Sequence, residues 1–74
     1  MSLRLPYADV KFARHVLALG SLRRIDLADE DASVLRQAAA MLEDEPRRIT
    51  PGYLDSFNQV CTRVASLIPQ LEAA

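Results

Sequence analysis

Residues 49–68, ITPGYLDSFNQVCTRVASLI, read as one amphipathic helix that carries its own start signal. Thr50 is a good N-cap, because its hydroxyl can accept from a free backbone N–H of the first turn. Pro51 falls at the first helical position, where a missing N–H removes nothing, and Ile49 is placed to staple onto Leu54. Leu54, Phe57, Cys61, Val64, Ile68 and Leu71 then alternate steps of three and four, about two and a half heptads of an apolar seam. Tyr53, Val60 and Leu67 widen the stripe enough to touch two neighbouring helices. Pro69 should kink or finish the helix near Ile68, because it removes a backbone hydrogen bond. The expectation is a helix over 51–68, with Leu54, Phe57, Cys61, Val64 and Ile68 forming a core or dimer seam.

Two weaker helices precede it. Over 6–19, Pro6 suits the first turn, Val10, Ala13, Val16 and Leu17 share a face, and Gly20 is expected just past the end. Over 27–44, Asp29, Glu30 and Asp31 favour the positive end of the helix dipole. The cap is ambiguous between Asp26 and a register starting near Ala28. Leu35, Ala38 and Leu42 are expected to face inwards, and Pro46 to stop the helix. The tripeptide Arg-Arg-Ile occurs at 23–25 and again at 47–49, each time just ahead of a helix, although the residues after the two copies do not match. No alternating β-rich stretch is long enough to compete. The fold class expected is all-α, a small three-helix bundle or helical hairpins assembled as a dimer. Residues 1–5 are expected to be a flexible arm, and 6–74 a single helical domain.

A chain of 74 residues, half of them apolar, folds as one domain with a modest core. Such small domains gain support from disulfides, metal or self-association. Cys61 is the only cysteine and His15 the only histidine, so an intrachain disulfide and a Cys/His metal cluster are both excluded. Association is the remaining route, and a homodimer is expected. A lone thiol in an apolar context suits a reducing cytoplasm. Charges scattered through 1–19 leave no apolar core for a signal peptide, and no stretch approaches a membrane span. Eight Arg against one Lys, with abundant Ala, suggest a bacterial or phage origin.

Charge is segregated. Residues 1–24 carry five cations against Asp9, whereas 25–45 carry seven acids against Arg36. Such a division suggests self-complementarity as readily as an outside ligand. Three function classes are open to such a chain. An enzyme is disfavoured: Cys61 lies within a core stripe, the acid clusters sit at helix ends, and no Gly-rich phosphate loop exists. No cofactor is expected. Nucleic-acid binding would use Arg4, Lys11, Arg14, Arg23 and Arg24, with Tyr7 and Phe12 for stacking. Against it stand the acidic second helix and the lack of cations early in the third. The leading expectation is a protein–protein interaction module, a regulator, adaptor or inhibitor, with Phe12, Arg14, Arg23, Arg24 and Tyr53 as partner contacts. Glu43-Asp44-Glu45, unfavourable at a helix C-terminus, are either neutralised by Arg47 and Arg48 or kept for a basic partner, the first being expected.

Overall fold

The computed structural model describes residues 3–68. Three helices dominate: α1 (Tyr7–Ser21), α2 (Asp29–Ala39) and α3 (Pro51–Ala65). Two short strands, β1 (Leu3–Arg4) and β2 (Arg48–Ile49), precede α1 and α3. The all-α expectation holds, with α2 in the middle, packed against both α1 and α3.

Helix α1 buries Val10, Ala13 and Val16, whose three-residue spacing lays them along one stripe. Its end differs from expectation. Gly20 is a helical residue rather than the residue beyond the end, and no glycine has positive φ. Gly20 is needed for close approach instead: a Cβ there would lie 3.2 Å from Leu27 Cδ2. Arg23 takes the left-handed position, at φ 58°. The N–H of Arg24 donates to Leu19 O (2.9 Å) and that of Arg23 to Gly20 O (3.1 Å), the paired bonds of a Schellman turn.

Helix α2 starts in the later of the two registers, with Ala28 as N-cap and Asp29, Glu30 and Asp31 in the first turn. It stops at Ala39, well short of Pro46 and of the expected residue 44. An arginine from another helix caps this end. Arg14 donates from Nε to Ala39 O (3.0 Å) and from Nη2 to Met41 O (2.7 Å), drawing off carbonyls of the last turn and the loop beyond it. The chain then leaves the helical path, so Leu42 is 54 % exposed and not the inward residue expected. Arg47 holds the rest of this loop. Its Nε donates to Leu5 O (2.8 Å), and its Nη1 to the carbonyls of Leu42, Glu43 and Glu45. The guanidinium carbons of Arg14 and Arg47 each lie 5.7 Å from the Tyr7 ring centroid, within cation–π range.

Within the expected N-terminal arm, Leu3 and Arg4 form β1. Leu3 pairs with Ile49 and Arg4 with Arg48, antiparallel, and the Leu5 N–H donates to Arg47 O (2.9 Å). Leu5 is fully buried, an anchor that fastens the start of the chain to the loop before α3. Burying a leucine this completely stabilises by roughly 1.5–3 kcal/mol, which offsets the ordering of about one or two residues of the segment.

Helix α3 begins as its sequence signals, with Thr50 Oγ1 accepting from the Tyr53 N–H (3.0 Å) and Pro51 at the first position. Its inward face centres on Phe57, Val60 and Val64. The stripe is therefore rotated from the expected seam. Cys61 and Ile68 pack at the margin of the core, while Leu54 is half-buried and takes no part in it. At about 100° per residue, α2 meets the 57–60–64 line and leaves 54 on the far edge. The expected kink at Pro69 and the packing of Leu71 lie outside the described residues. Two polar links join α2 to α3. Tyr53 donates its hydroxyl to Val34 O (2.6 Å), and Arg63 forms a two-point ion pair with Asp31 at 2.6 and 3.2 Å. That pair joins the N-terminus of α2 to the last turn of α3, each charge on the helix end that favours it.

Candidate interaction surface

The five expected partner contacts separate into two groups. Phe12 is half-buried and packed against the core. Arg14 is exposed but committed to the fold, because its guanidinium also donates to Tyr7 Oη (3.1 Å) besides the two carbonyls. Tyr53 is half-buried, its ring 6.1 Å from that of Phe57 and its hydroxyl satisfied by Val34. Burial raises the Tyr53 pKa above its ordinary value, as befits a phenol kept neutral. Arg23 and Arg24 remain: both are exposed, adjacent, and make no side-chain hydrogen bond or ion pair among the described residues.

Beside them lies Leu22, 67 % exposed. The Schellman turn explains its position. Leu22 is the last residue before the left-handed Arg23, and the reversal there carries the chain towards α2 while Leu22 stays outside. A depression of about 430 Å³ adjoins the corner, lined by Gly20, Arg23, Arg24, Ile25, Asp26 and Leu27. A second, of about 240 Å³, shares Gly20 and Leu27 with it and adds Leu17 and Arg36. The α1–α2 corner thus offers a projecting leucine, a partly apolar floor and three arginines, with Asp26 on the rim.

Leu22 was missed by periodicity because it falls after the helix, where apolar spacing carries no orientation. The available signal was its context, an apolar residue followed directly by two arginines. Leu42 has the opposite context, directly ahead of Glu43-Asp44-Glu45. The acids are not neutralised as expected. Arg47 binds backbone carbonyls in this loop, Glu45 Oε1 accepts from the Leu42 N–H (2.7 Å), and the ion pair found among the described residues is Asp31–Arg63. Glu43 and Asp44 stand exposed.

The basic residues considered for nucleic acid do not converge. Arg14 sits at the middle of α1 with its guanidinium turned back to Tyr7, Arg23 and Arg24 lie beyond the end of that helix, and Arg4 faces Arg48 across the strand pair. The Cys61 thiol is half-buried, and burial, then the Asp9 carboxylate, raise its pKa, so little thiolate forms near neutral pH. Among the described residues no three His, Cys, Asp or Glu side chains gather to hold a metal, and no helix is long and apolar enough to cross a membrane. No protein-family model matches the chain, and no curated protein or solved structure matches it significantly.

Proposed function

We propose that this chain is a small protein–protein interaction module, a regulator, adaptor or inhibitor, that seats its α1–α2 corner on another protein. One observation carries the reading. Arg23 holds a left-handed backbone at φ 58°, where glycine costs least, and its side chain gains no internal hydrogen bond in return. A non-glycine residue in that region costs on the order of 1 kcal/mol, and unrelieved local strain of this kind gathers at functional sites. Arginine is among the residues enriched in binding hot spots, and the exposed leucine beside it offers an apolar contact. The partner surface it suits combines an apolar pocket for Leu22 with acidic groups for Arg23 and Arg24.

The test is a photo-crosslinking residue placed at position 22 in the native host, with position 62 on the exposed side of α3 as control. Position 22 should trap a discrete protein that position 62 does not, and Arg23→Glu with Arg24→Glu should abolish the adduct. Equal labelling from both positions would remove the reading. The same arginine pair underlies the nucleic-acid alternative, which is opposed by the scattering of Arg4, Arg14, Arg23 and Arg24 over different parts of the fold. A labelled DNA or RNA shift at low salt, lost in the double variant, would favour that alternative.

A further inference from the structure

Among the described residues the exposed large hydrophobics are Leu22 and Leu42. Each begins a charged run of opposite sign: Leu22 precedes Arg23 and Arg24, and Leu42 precedes Glu43 and Asp44. Helices α1 and α2 run antiparallel. The end of α1 leads by a short turn into the start of α2, while the end of α2 is held by Arg14 beside Tyr7, towards the start of α1. The two leucine–charge units therefore occupy opposite ends of the hairpin, separated by at least the length of α2, ~16 Å at 1.5 Å per residue. They are too far apart to meet within one molecule.

We infer that the Leu42-Glu43-Asp44 loop of a second copy of this chain docks on the Leu22-Arg23-Arg24 corner, in an antiparallel dimer that makes the contact twice about a twofold axis. Leu42 enters the depression against Gly20, Ile25 and Leu27, and Glu43 and Asp44 meet Arg23 and Arg24, which also line it and outnumber the single acid there, Asp26. Both sides are prepared for this. Arg47 fixes the loop through its carbonyls and leaves the Glu43 and Asp44 carboxylates outside, while the Schellman turn fixes the corner through backbone bonds and leaves both guanidinium groups outside. Self-complementary charge of this kind sets register and suppresses parallel pairing, which would oppose like charges. The inference rests on reading the corner as a docking surface, and it names a second copy of this chain as the occupant.

Sedimentation velocity on the full chain tests it, with two charge-reversal variants: Arg23→Glu with Arg24→Glu, and Glu43→Arg with Asp44→Arg. Neither pair of side chains makes an internal contact that the fold depends on. The wild type is expected to dimerise, with affinity falling at least roughly tenfold between about 50 and 500 mM salt as screening shortens. Each variant alone should be monomeric, since all its docking charges then share one sign. An equimolar mixture of the two should regain the dimer, now a heterodimer, and so should one chain carrying all four substitutions. A wild type that stays monomeric up to about 100 μM, dimers that survive either reversal, or a mixture that stays monomeric would each overturn the contact. A monomeric wild type that still traps a foreign protein through position 22 removes the dimer and keeps the interaction module. A dimer with no foreign adduct does the reverse.

Discussion

The first arginine of each Arg-Arg-Ile copy adopts a left-handed backbone, Arg23 at φ 58° and Arg47 at φ 49°. In both copies the second arginine is exposed and the isoleucine turns inward, with Ile25 buried and Ile49 packed against the core. The shared tripeptide therefore encodes one local manoeuvre, a left-handed reversal that delivers an apolar side chain under the next helix. The sequence placed each copy just ahead of a helix but did not show the reversal, because arginine gives no signal for positive φ as glycine or asparagine does. The two arginines differ in what their side chains do, and substitution should separate them. Arg23→Gly relieves the backbone and removes no internal bond, so stability should rise by about 0.5–1 kcal/mol, or a few degrees in Tm for a domain of this size. Arg47→Gly relieves the same strain but deletes the bond to Leu5 O, those to the 42–45 loop, and the stacking on Tyr7. With each hydrogen bond worth about 0.5–1.5 kcal/mol net, Tm should fall. Thermal melts of the two variants with opposite signs are the expected result. A fall for both at concentrations where the chain is monomeric would mean that Arg23 has an internal partner after all, whereas a fall only where it dimerises would report the contact with a second copy.

The start of α3 was legible and the end of α2 was not, for a physical reason. The Thr50 cap and Pro51 act within one turn of the residues they organise, so a local reading suffices. The end of α2 is capped by Arg14 from α1, and the following loop is held by Arg47, contacts that exist only after the helices have packed. The same holds for the candidate surface. Arg23 and Arg24 were legible as a charged pair, whereas the exposure of Leu22 and Leu42 depends on where α1 and α2 stop. The strand pair was invisible to periodicity because two residues per strand show no alternation, and its effect is carried by Leu5 next to it. Leu5→Ala should cost about 2–5 kcal/mol, the range for a fully buried leucine whose cavity cannot collapse, and a domain this small would be largely unfolded at the upper end. Within the pair, Arg4 stands opposite Arg48, and like charges placed so oppose pairing. Arg4→Glu should raise stability by about 0.2–1 kcal/mol at low salt and by less at high salt, measured by urea unfolding at both. A gain that does not shrink with salt would show that repulsion was not its source.

Across the whole molecule, α2 is the element to which the others are fastened: Arg14 ties it to α1, while Tyr53 and the Asp31–Arg63 pair tie it to α3. This arrangement makes global stability sensitive to pH on the alkaline side. Tyr53 and Cys61 both have pKa values raised in the folded protein, chiefly by burial, which penalises phenolate and thiolate. Each group is neutral when protonated, so the unfolded chain gives up these protons first as pH rises. The unfolded state then binds fewer protons than the folded one, and stability falls with increasing pH. Their contribution is intact below the unfolded pKa values, begins to decline near pH 9 for Cys61 and near pH 10 for Tyr53, and is lost as pH passes the folded values. Phenolate also forfeits the hydroxyl bond to Val34 O, so the loss of Tyr53's proton loosens the α2–α3 joint itself. Tyr53→Phe should therefore be less stable than wild type near neutral pH by about 1 kcal/mol, the value of the lost bond, yet lose stability less steeply above about pH 10. Adding Cys61→Ala should flatten the curve from about pH 9. Urea unfolding at intervals between neutrality and about pH 11 reads both changes, and parallel curves for wild type and the double variant would mean that the alkaline loss comes from elsewhere in the chain.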